Sequence, residues 1–177
     1  MASVLSHPAV PLALAVALGR DRVPAGVAAV ACAASVLPDL DALGFAAGIP
    51  YGHTFGHRGF THSLFFALLT ALGCSVFASK LGSSFGTTFA VVFIAAASHG
   101  ALDALTTGGM GVAFFSPFSN QRYFFPWQVI RVSPIGIASF LSQRGLLVLR
   151  SELRWIWAPA VVVAAVGVLL RRAFAHL

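Results

Sequence analysis

Histidine and aspartate residues stand beside the ends of the apolar runs of this chain. Seven of them share this position: His7, Asp39, Asp41, His57, His62, His99 and Asp103. If the first four apolar runs cross a membrane alternately, all seven lie at the same membrane face. His53 falls on that face too, so that five of the six histidines of the chain gather there. Scatter would seldom produce such a concentration, which predicts a shared site.

Imidazole nitrogens and carboxylate oxygens together are suitable ligands for Zn, Mn or Fe. The cluster contains no cysteine, which argues against a structural zinc finger. His99 and Asp103 are four residues apart and therefore face the same way from one helix. His57 and His62 are five apart, which suits a loop position for the first and a helix start for the second. The sequence therefore predicts one metal site with one or two ions, zinc first among the metals.

Individual members of the cluster also have simpler interpretations. His7 could be an ordinary interfacial residue, Asp39 could belong to a helix C-terminal turn, and His99 with Asp103 could be a hydrogen-bonded pair. Asp39 and Asp41 follow Pro38 on what we expect to be an extended turn. They would supply one ligand and one outer partner, or would bridge two metals.

Two arginines stand close enough to this cluster in sequence to act on a substrate. Arg58 follows His57 directly, and Arg122 lies in a polar stretch further along the chain. Either guanidinium would suit an anionic group beside the metal, and the alternative is an arginine that extends to lipid headgroups. We expect Asp41, Arg58 and Arg122 to be the catalytic residues, with Asp41 or Asp39 accepting a proton from water.

The composition of the chain identifies the solvent as lipid. Of its 177 residues, 58% are hydrophobic and 9% are charged, whereas soluble domains carry about 25% charged residues. The formal charge of +6 comes almost wholly from arginine, since Lys80 is the only lysine. In so apolar a chain the expected partner of this charge is anionic lipid headgroups and not nucleic acid. The cysteines, Cys32 and Cys74, lie inside apolar runs and read as small core residues.

The apolar runs predict an all-α, polytopic membrane bundle with about four to five transmembrane helices and interfacial segments. The expected membrane helices cover residues 4–18, 24–37, 63–79, 85–102 and 155–170. Residues 135–149 are expected to form an interfacial or re-entrant helix. We expect one domain over 1–177, with a metal-site core (1–104), an interfacial segment (105–154) and a last transmembrane helix (155–172). The first run lacks a basic segment before it and is expected to be a retained helix, not a signal peptide.

The charge pattern gives an expected orientation. The loops and tail on the face opposite the site carry these charged residues: Arg20, Asp21, Arg22, Lys80, Arg171 and Arg172. By the positive-inside rule that face is cytoplasmic, so the site faces outward. Five arginines in the long segment on the site's own face oppose this assignment. His176 is expected to be a solvated tail residue.

Several blocks of the sequence resemble a known family. They are His7, Pro38-Asp39-Leu40-Asp41, His57-Arg58-Gly59-Phe60-Thr61-His62-Ser63, and His99 with Asp103 before Thr106-Thr107-Gly108. Over residues 1–125 the chain looks like the YdjM-like family of predicted inner-membrane, metal-dependent hydrolases. This resemblance implies the following ligands: His7, Asp39, His57, His62, His99 and Asp103. The order of these motifs is also distantly similar to bacterial zinc-dependent phospholipase C, although a later His-x-x-x-Glu of that family is missing.

The function expected from these features is hydrolysis by a metal-activated water at the bacterial inner membrane. The leading substrate is a phosphoester in a lipid or lipid-linked molecule. A metal-dependent amide or ester hydrolase is the nearest alternative. A metal transporter or sensor, or a membrane protein whose metal only holds helices together, is the alternative from another class. The oligomeric state is not predicted.

Overall fold

The computed structural model describes residues 1–174, so that His176 lies outside the described part of the chain. The α-helices are α1 (Ala9–Leu18), α2 (Ala25–Val36), α3 (Leu64–Ser75), α4 (Phe85–Ala104), α5 (Ile137–Phe140), α6 (Gln143–Glu152) and α7 (Ala158–Phe174). Tighter 3₁₀ turns cover Leu37–Phe45, Phe60–His62 and Ala78–Leu81, and a π-turn covers Leu153–Trp157. Residues 1–174 contain no β-strand, only two isolated bridges. The all-α prediction is confirmed.

The helix ends follow from local side-chain chemistry. Ser63 caps α3 by accepting a hydrogen bond from the Phe66 N–H at 3.0 Å, and Ser84 caps α4 in the same way. Such caps satisfy amide groups that have no partner within the helix. The two caps begin the helices close to the positions that the sequence predicts.

Three continuous helical stretches are long and apolar enough to cross a membrane. They are Ala25–Phe45 with 21 residues, Phe85–Ala104 with 20 and Gln143–Phe174 with 32. The helices α1 and α3 have 10 and 12 residues, or about 15–18 Å against a hydrocarbon core of about 30 Å. These two apolar helices lie within the bundle without the length of a full span.

Two local expectations are wrong. The helix α2 ends at Val36, close to the predicted bound at residue 37, but a 3₁₀ segment and not an extended turn follows it. Asp39 and Asp41 therefore lie on a helical turn. Residues 135–149 do contain helix, in α5 and α6, but α6 is not separate from the last span, because the π-turn joins α6 to α7 as one continuous helix.

The core consists of small side chains between α2, α3 and α4. Buried residues of this core are Val27, Ala31, Ala34, Ala71, Val91, Val92 and Ala95. Small residues let helix backbones approach closely in a membrane, where dispersion contacts hold helices together. On the other side of the molecule α7 packs along α1, with Gly167 against Ala17. This packing brings the ends of α1, α2 and α4 to one place.

Candidate metal centre

Four side chains from three elements meet where these helices end. One ligand atom each of Asp39, His62, His99 and Asp103 lies within 4.8 Å of the others. The Nε2 atoms of His62 and His99 are 3.0 Å apart. Asp39 Oδ1 lies 3.4 Å from His99 Nε2, and Asp103 Oδ2 lies 3.6 Å from His62 Nε2. The i, i+4 spacing in α4 thus places two ligand groups on one helix face, as the sequence predicts.

His7 completes this cluster from the segment before α1. Its Nε2 atom lies 3.8 Å from Asp39 Oδ2 and 3.8 Å from Asp103 Oδ1. Its ring stacks on that of His99, with 3.7 Å between ring centroids. His7, His99 and Asp103 are fully buried. The cluster therefore gathers three imidazoles and two carboxylates away from bulk solvent.

The hydrogen bonds of two histidines determine which ring nitrogen is free. His99 Nδ1 lies 2.7 Å from the carbonyl oxygen of Ser35, which only accepts, so Nδ1 carries the proton. His62 Nδ1 faces Asp41 Oδ2 at 3.1 Å and donates to it. In the neutral rings both Nε2 lone pairs then point at each other across 3.0 Å. This contact is repulsive unless a proton or a metal cation lies between the two nitrogens.

Other atoms of the cluster also lack protein partners. Both ring nitrogens of His7 and both carboxylate oxygens of Asp39 are buried without a hydrogen bond. Buried polar groups normally have partners, and an unpaired one costs about 1–3 kcal/mol. A divalent cation bound to these atoms would satisfy them together. The donor set of nitrogen and oxygen suits Zn, Mn or Fe.

The charge of the site points the same way. Three carboxylates, Asp39, Asp41 and Asp103, lie in or beside the cluster. The arginine paired with one of them is Arg58, whose Nε lies 3.1 Å from Asp103 Oδ2. When all three carboxylates are ionised, the charge of Arg58 does not balance them, and a bound cation would offset negative charge that remains.

Asp41 faces two histidines from outside the cluster. Its oxygens lie 2.6 Å from His57 Nδ1 and 3.1 Å from His62 Nδ1, and it accepts a hydrogen bond from the Thr61 hydroxyl at 2.7 Å. Carboxylates in such positions orient metal-binding histidines and raise their basicity. One ligand atom each of Asp41, His57 and His62 also lies within 4.8 Å of the others. The geometry therefore fits both predicted arrangements, with Asp41 as an outer partner of the histidines or with Asp41 and His57 as ligands of a second ion. His57 keeps a buried Nε2 without a hydrogen bond.

Arg58 contacts both the cluster and the residues that follow α4. Its guanidinium donates to the Gly108 carbonyl and the Thr106 hydroxyl, each at 2.9 Å, in addition to the ion pair with Asp103. Its φ of 62° is left-handed, an uncommon conformation for a residue with a side chain. Such strain persists where surrounding contacts determine the conformation, often at functional sites.

Arg122 uses its guanidinium on backbone carbonyls. It donates to His57 O at 2.9 Å and to Tyr51 O at 3.0 Å. These bonds connect the loop before His62 to residues 114–127, which we call the aromatic segment. Both arginines are therefore engaged with protein acceptors. Their expected contact with a substrate anion stays a prediction.

Gly100 lets the His62 turn approach α4. A Cβ atom at this position would lie 2.8 Å from the His62 carbonyl oxygen, closer than Cβ atoms come to other atoms. The backbone of His62 therefore rests directly on the helix that carries His99 and Asp103. This contact fixes the height of the His62 ring relative to the other ligands.

His7 and His62, which lie outside the membrane helices, differ in their pKa. Burial, with the neighbouring His99, lowers the pKa of His7 to about 3 and keeps this ring neutral. Burial also disfavours a charged His62, but hydrogen bonds to Asp103 and Asp41 outweigh it and raise the pKa of His62 to about 9. In the protein without metal, a proton on His62 thus offsets part of the negative charge.

Sequence reasoning missed the outer partners of the cluster. The Ser35 carbonyl holds His99, and the Ala2 N–H donates to Asp103 Oδ1 at 2.7 Å. Backbone groups carry no sequence signal, so no motif could have identified them. Thr61 lies inside the His57 to His62 block and could have been identified as a hydrogen-bonding neighbour.

The fold and the site together define a class of protein. Residues 1–176 match the family described as YdjM inner membrane protein, and the chain belongs to that family. The chain is also 40% identical over 164 residues to inner membrane protein YbcI of Escherichia coli strain K12. This match covers 92% of the chain and 95% of the relative. The chain is therefore a multi-pass inner membrane protein, as the sequence predicts. No solved structure matches it.

Proposed function

We propose that this chain is a membrane-embedded, metal-dependent hydrolase that cleaves a phosphoester of a lipid or lipid-linked substrate. The observation that carries the proposal is the pair of facing Nε2 atoms of His62 and His99, 3.0 Å apart, beside the carboxylate oxygens of Asp39, which have no hydrogen-bond partner. Five residues would hold the metal: His7, Asp39, His62, His99 and Asp103. Zinc is the first metal to test, with one or two ions bound.

A divalent metal held by these residues would lower the pKa of a water molecule toward about 7 and would polarise the scissile group. In this proposal His57 takes the proton of the attacking water, because Asp41 holds its Nδ1–H and leaves Nε2 free. Asp41 itself already accepts several hydrogen bonds, which makes it an orienting group. Arg58 keeps Asp103 ionised and in place. Burial of the cluster excludes bulk water from the reacting atoms.

An apolar groove beside the site supports a lipid substrate. Two adjoining cavities of about 330 and 470 Å³ lie between α3, α4 and the aromatic segment. They share Leu64, Phe93, Phe114 and Phe115. Leu64 follows His62 by two residues, and its N–H is bonded to the Phe114 carbonyl. We propose that a hydrocarbon chain lies in this groove with its polar head toward the His62 turn.

The position of the basic residues supports an outward-facing site. Arg22, Arg171 and Arg172 line one cavity at the end of the bundle remote from the ligands. By the positive-inside rule this end is cytoplasmic. Labelling of single cysteines introduced at Ala47 and at Ser79, in a protein with Cys32 and Cys74 replaced by alanine, tests the proposal in intact cells. Only the cysteine at position 47 should react with an impermeant reagent.

A second candidate function is favoured by the burial of the ligands. His7, His99 and Asp103 are fully buried, which suits a metal that only joins the helices. In that case loss of metal would unfold the protein in the same step as it removed any function. The hydrolase proposal expects a folded protein without metal.

The test combines metal content, folding and turnover. Detergent-purified wild type is compared with His99→Ala and with His53→Ala, a matched control because His53 is exposed and outside the cluster. We expect about one or more Zn, Mn or Fe per chain in wild type and in the control, and loss of metal in a folded His99→Ala protein. Wild type and control should then hydrolyse a phospholipid in mixed micelles.

Two results would contradict the proposal. Wild type that takes up no transition metal even after reconstitution would overturn the metal site. Wild type that holds metal, cleaves no phosphoester, amide or ester lipid and unfolds on chelation would favour the second candidate.

A further inference from the structure

The segment before α1 is held on the metal cluster from two sides. The Ala2 N–H donates to Asp103 Oδ1 at 2.7 Å, and the Met1 carbonyl accepts a hydrogen bond from Ser133 N at 2.9 Å. Ser3 and Ser6 are buried, with exposures of 3% and 1%. This segment, residues 1–8, has no regular helix of its own to fix its position. Its contacts with other elements therefore determine where His7 lies.

Glu152, at the end of α6, supplies most of these contacts. Its side chain is fully buried. Its carboxylate accepts hydrogen bonds from the Ser3 N–H, from the Ser3 hydroxyl at 2.6 Å and from the Ser6 hydroxyl at 2.8 Å. Within residues 1–174 no ion pair involves Glu152. A buried carboxylate without a cation depends on such donors, so that these bonds fix both groups.

The π-turn adds a second contact to the same serine. Trp157 Nε1 donates to Ser6 Oγ at 3.1 Å. In an α-helix two residues five apart point about 140° away from each other. The wider π-turn over Leu153–Trp157 brings Glu152 and Trp157 to one face. Single π-turns inside α-helices are frequently found at functional sites.

His7 differs from the other histidines of the cluster in its own hydrogen bonds. His62 and His57 donate to Asp41, and His99 donates to the Ser35 carbonyl. Both ring nitrogens of His7 lack a hydrogen-bond partner. Metal-binding histidines almost always have an outer partner that orients the ring. The orientation of His7 must therefore come from its backbone and from stacking on His99.

From these contacts we infer that Glu152 is a positioning residue of the metal centre, acting through Ser3 and Ser6 to aim the His7 imidazole at the metal. The inference rests on the proposed metal-dependent function. It assigns a role to the helix of residues 143–174, which supplies no ligand itself. Loss of this contact should act on the metal only by way of His7.

The test is a double-mutant cycle on metal binding. Affinity for Zn²⁺ and the visible absorption spectrum of the Co²⁺-loaded protein are measured for wild type, Glu152→Gln, His7→Ala and the double variant. In Glu152→Gln an amide NH₂ replaces the oxygen that accepts from the Ser3 and Ser6 hydroxyls. These two hydrogen bonds lose their charged acceptor and must reverse direction, with little change in volume. We expect affinity to fall about 10–100-fold, the usual effect of losing an outer partner. The Co²⁺ spectrum should change in the same direction as in His7→Ala.

The second arm of the cycle separates a positioning role from a general loss of stability. In the His7→Ala background the Glu152→Gln change should have no further effect on affinity. Ser142→Ala is the control, because Ser142 caps α6 without contacting the segment before α1. If Glu152→Gln does not fold, Ser6→Ala with Trp157→Phe tests the same contact.

Three results would overturn the inference. Glu152→Gln could leave affinity and spectrum unchanged, it could lower affinity equally with and without His7, or Ser142→Ala could produce the same loss. In each of these cases wild type still binds metal, so the proposed function stands. Wild type that binds no metal would instead overturn the proposed function and this inference with it.

Discussion

The helix α4 and the continuous helix of residues 143–174 are both apolar enough to span a membrane, yet they are built differently. In their most apolar stretches 39% of α4 is buried but only 6% of the longer helix. The buried face of α4 ends in His99 and Asp103, whereas α7 has no buried residue. Hydropathy alone thus identifies both helices as spans. It does not distinguish the helix that carries site residues from the helix that faces lipid. Buried polar groups make that distinction.

Asp103→Ala should have the largest effect on the buried side of this comparison. The change leaves the Arg58 guanidinium buried without its carboxylate and the Ala2 N–H without an acceptor. Removal of one partner from a buried ion pair costs about 3–5 kcal/mol of unfolding free energy. Unfolding in mixed micelles with a denaturing detergent measures this loss. Asp103→Asn keeps an acceptor oxygen and should cost less, so equal losses would contradict the explanation.

Gly100→Ala tests whether α4 must let the His62 turn approach. A new Cβ would meet the His62 carbonyl and displace the turn, at a cost of about 1–3 kcal/mol for overpacking. Metal affinity should fall as well, because the His62 ring moves. Gly73→Ala on α3 is the matched control, since a Cβ there meets nothing within 4 Å. A Gly100→Ala protein with normal stability and normal metal binding would contradict the close approach.

Metal affinity should depend on pH through His62. Because its pKa is about 9 without metal, the ring is charged at neutral pH and must lose a proton to bind. Apparent affinity should therefore rise about tenfold per pH unit as the pH increases toward about 9. Titration with Zn²⁺ at about pH 6.5 and about pH 8.5 measures the slope. His62→Asn should flatten it and His53→Asn should not; a flat profile in wild type would refute the assignment.

Val92→Ala and Val162→Ala compare the two helices with the same change of side chain. Val92 of α4 is fully buried, whereas Val162 of α7 is 60% exposed. Loss of the buried methyl groups leaves a small cavity and removes dispersion contacts, at a cost of about 1 kcal/mol. The exposed change should stay within about 0.5 kcal/mol. Similar losses at both positions would show that α7 has a protein partner in the membrane.

The sequence predicts the cluster well because its signals are local. The i, i+4 spacing of His99 and Asp103 and the ends of the apolar runs carry that information. The separate roles of Asp39 and Asp41 depend on which atoms face each other. The spacing of the two residues in the sequence therefore left two interpretations of these roles open. The sequence did not predict the contacts of the segment after Asp103, for a different reason. Glu152 is the only glutamate of the chain, and nothing near it in sequence indicates that its partners are Ser3 and Ser6.

The length of the last helix relates the position of the candidate site to the thickness of the bilayer. Twenty residues separate Glu152 from Arg172, a rise of about 30 Å along a helix and close to the thickness of the hydrocarbon layer. With Arg172 at one lipid–water boundary, Glu152 and the ligands it supports reach the other boundary. The helix therefore spans the distance between the two boundaries. A thinner or thicker bilayer would tilt it and shift the metal centre relative to the headgroups.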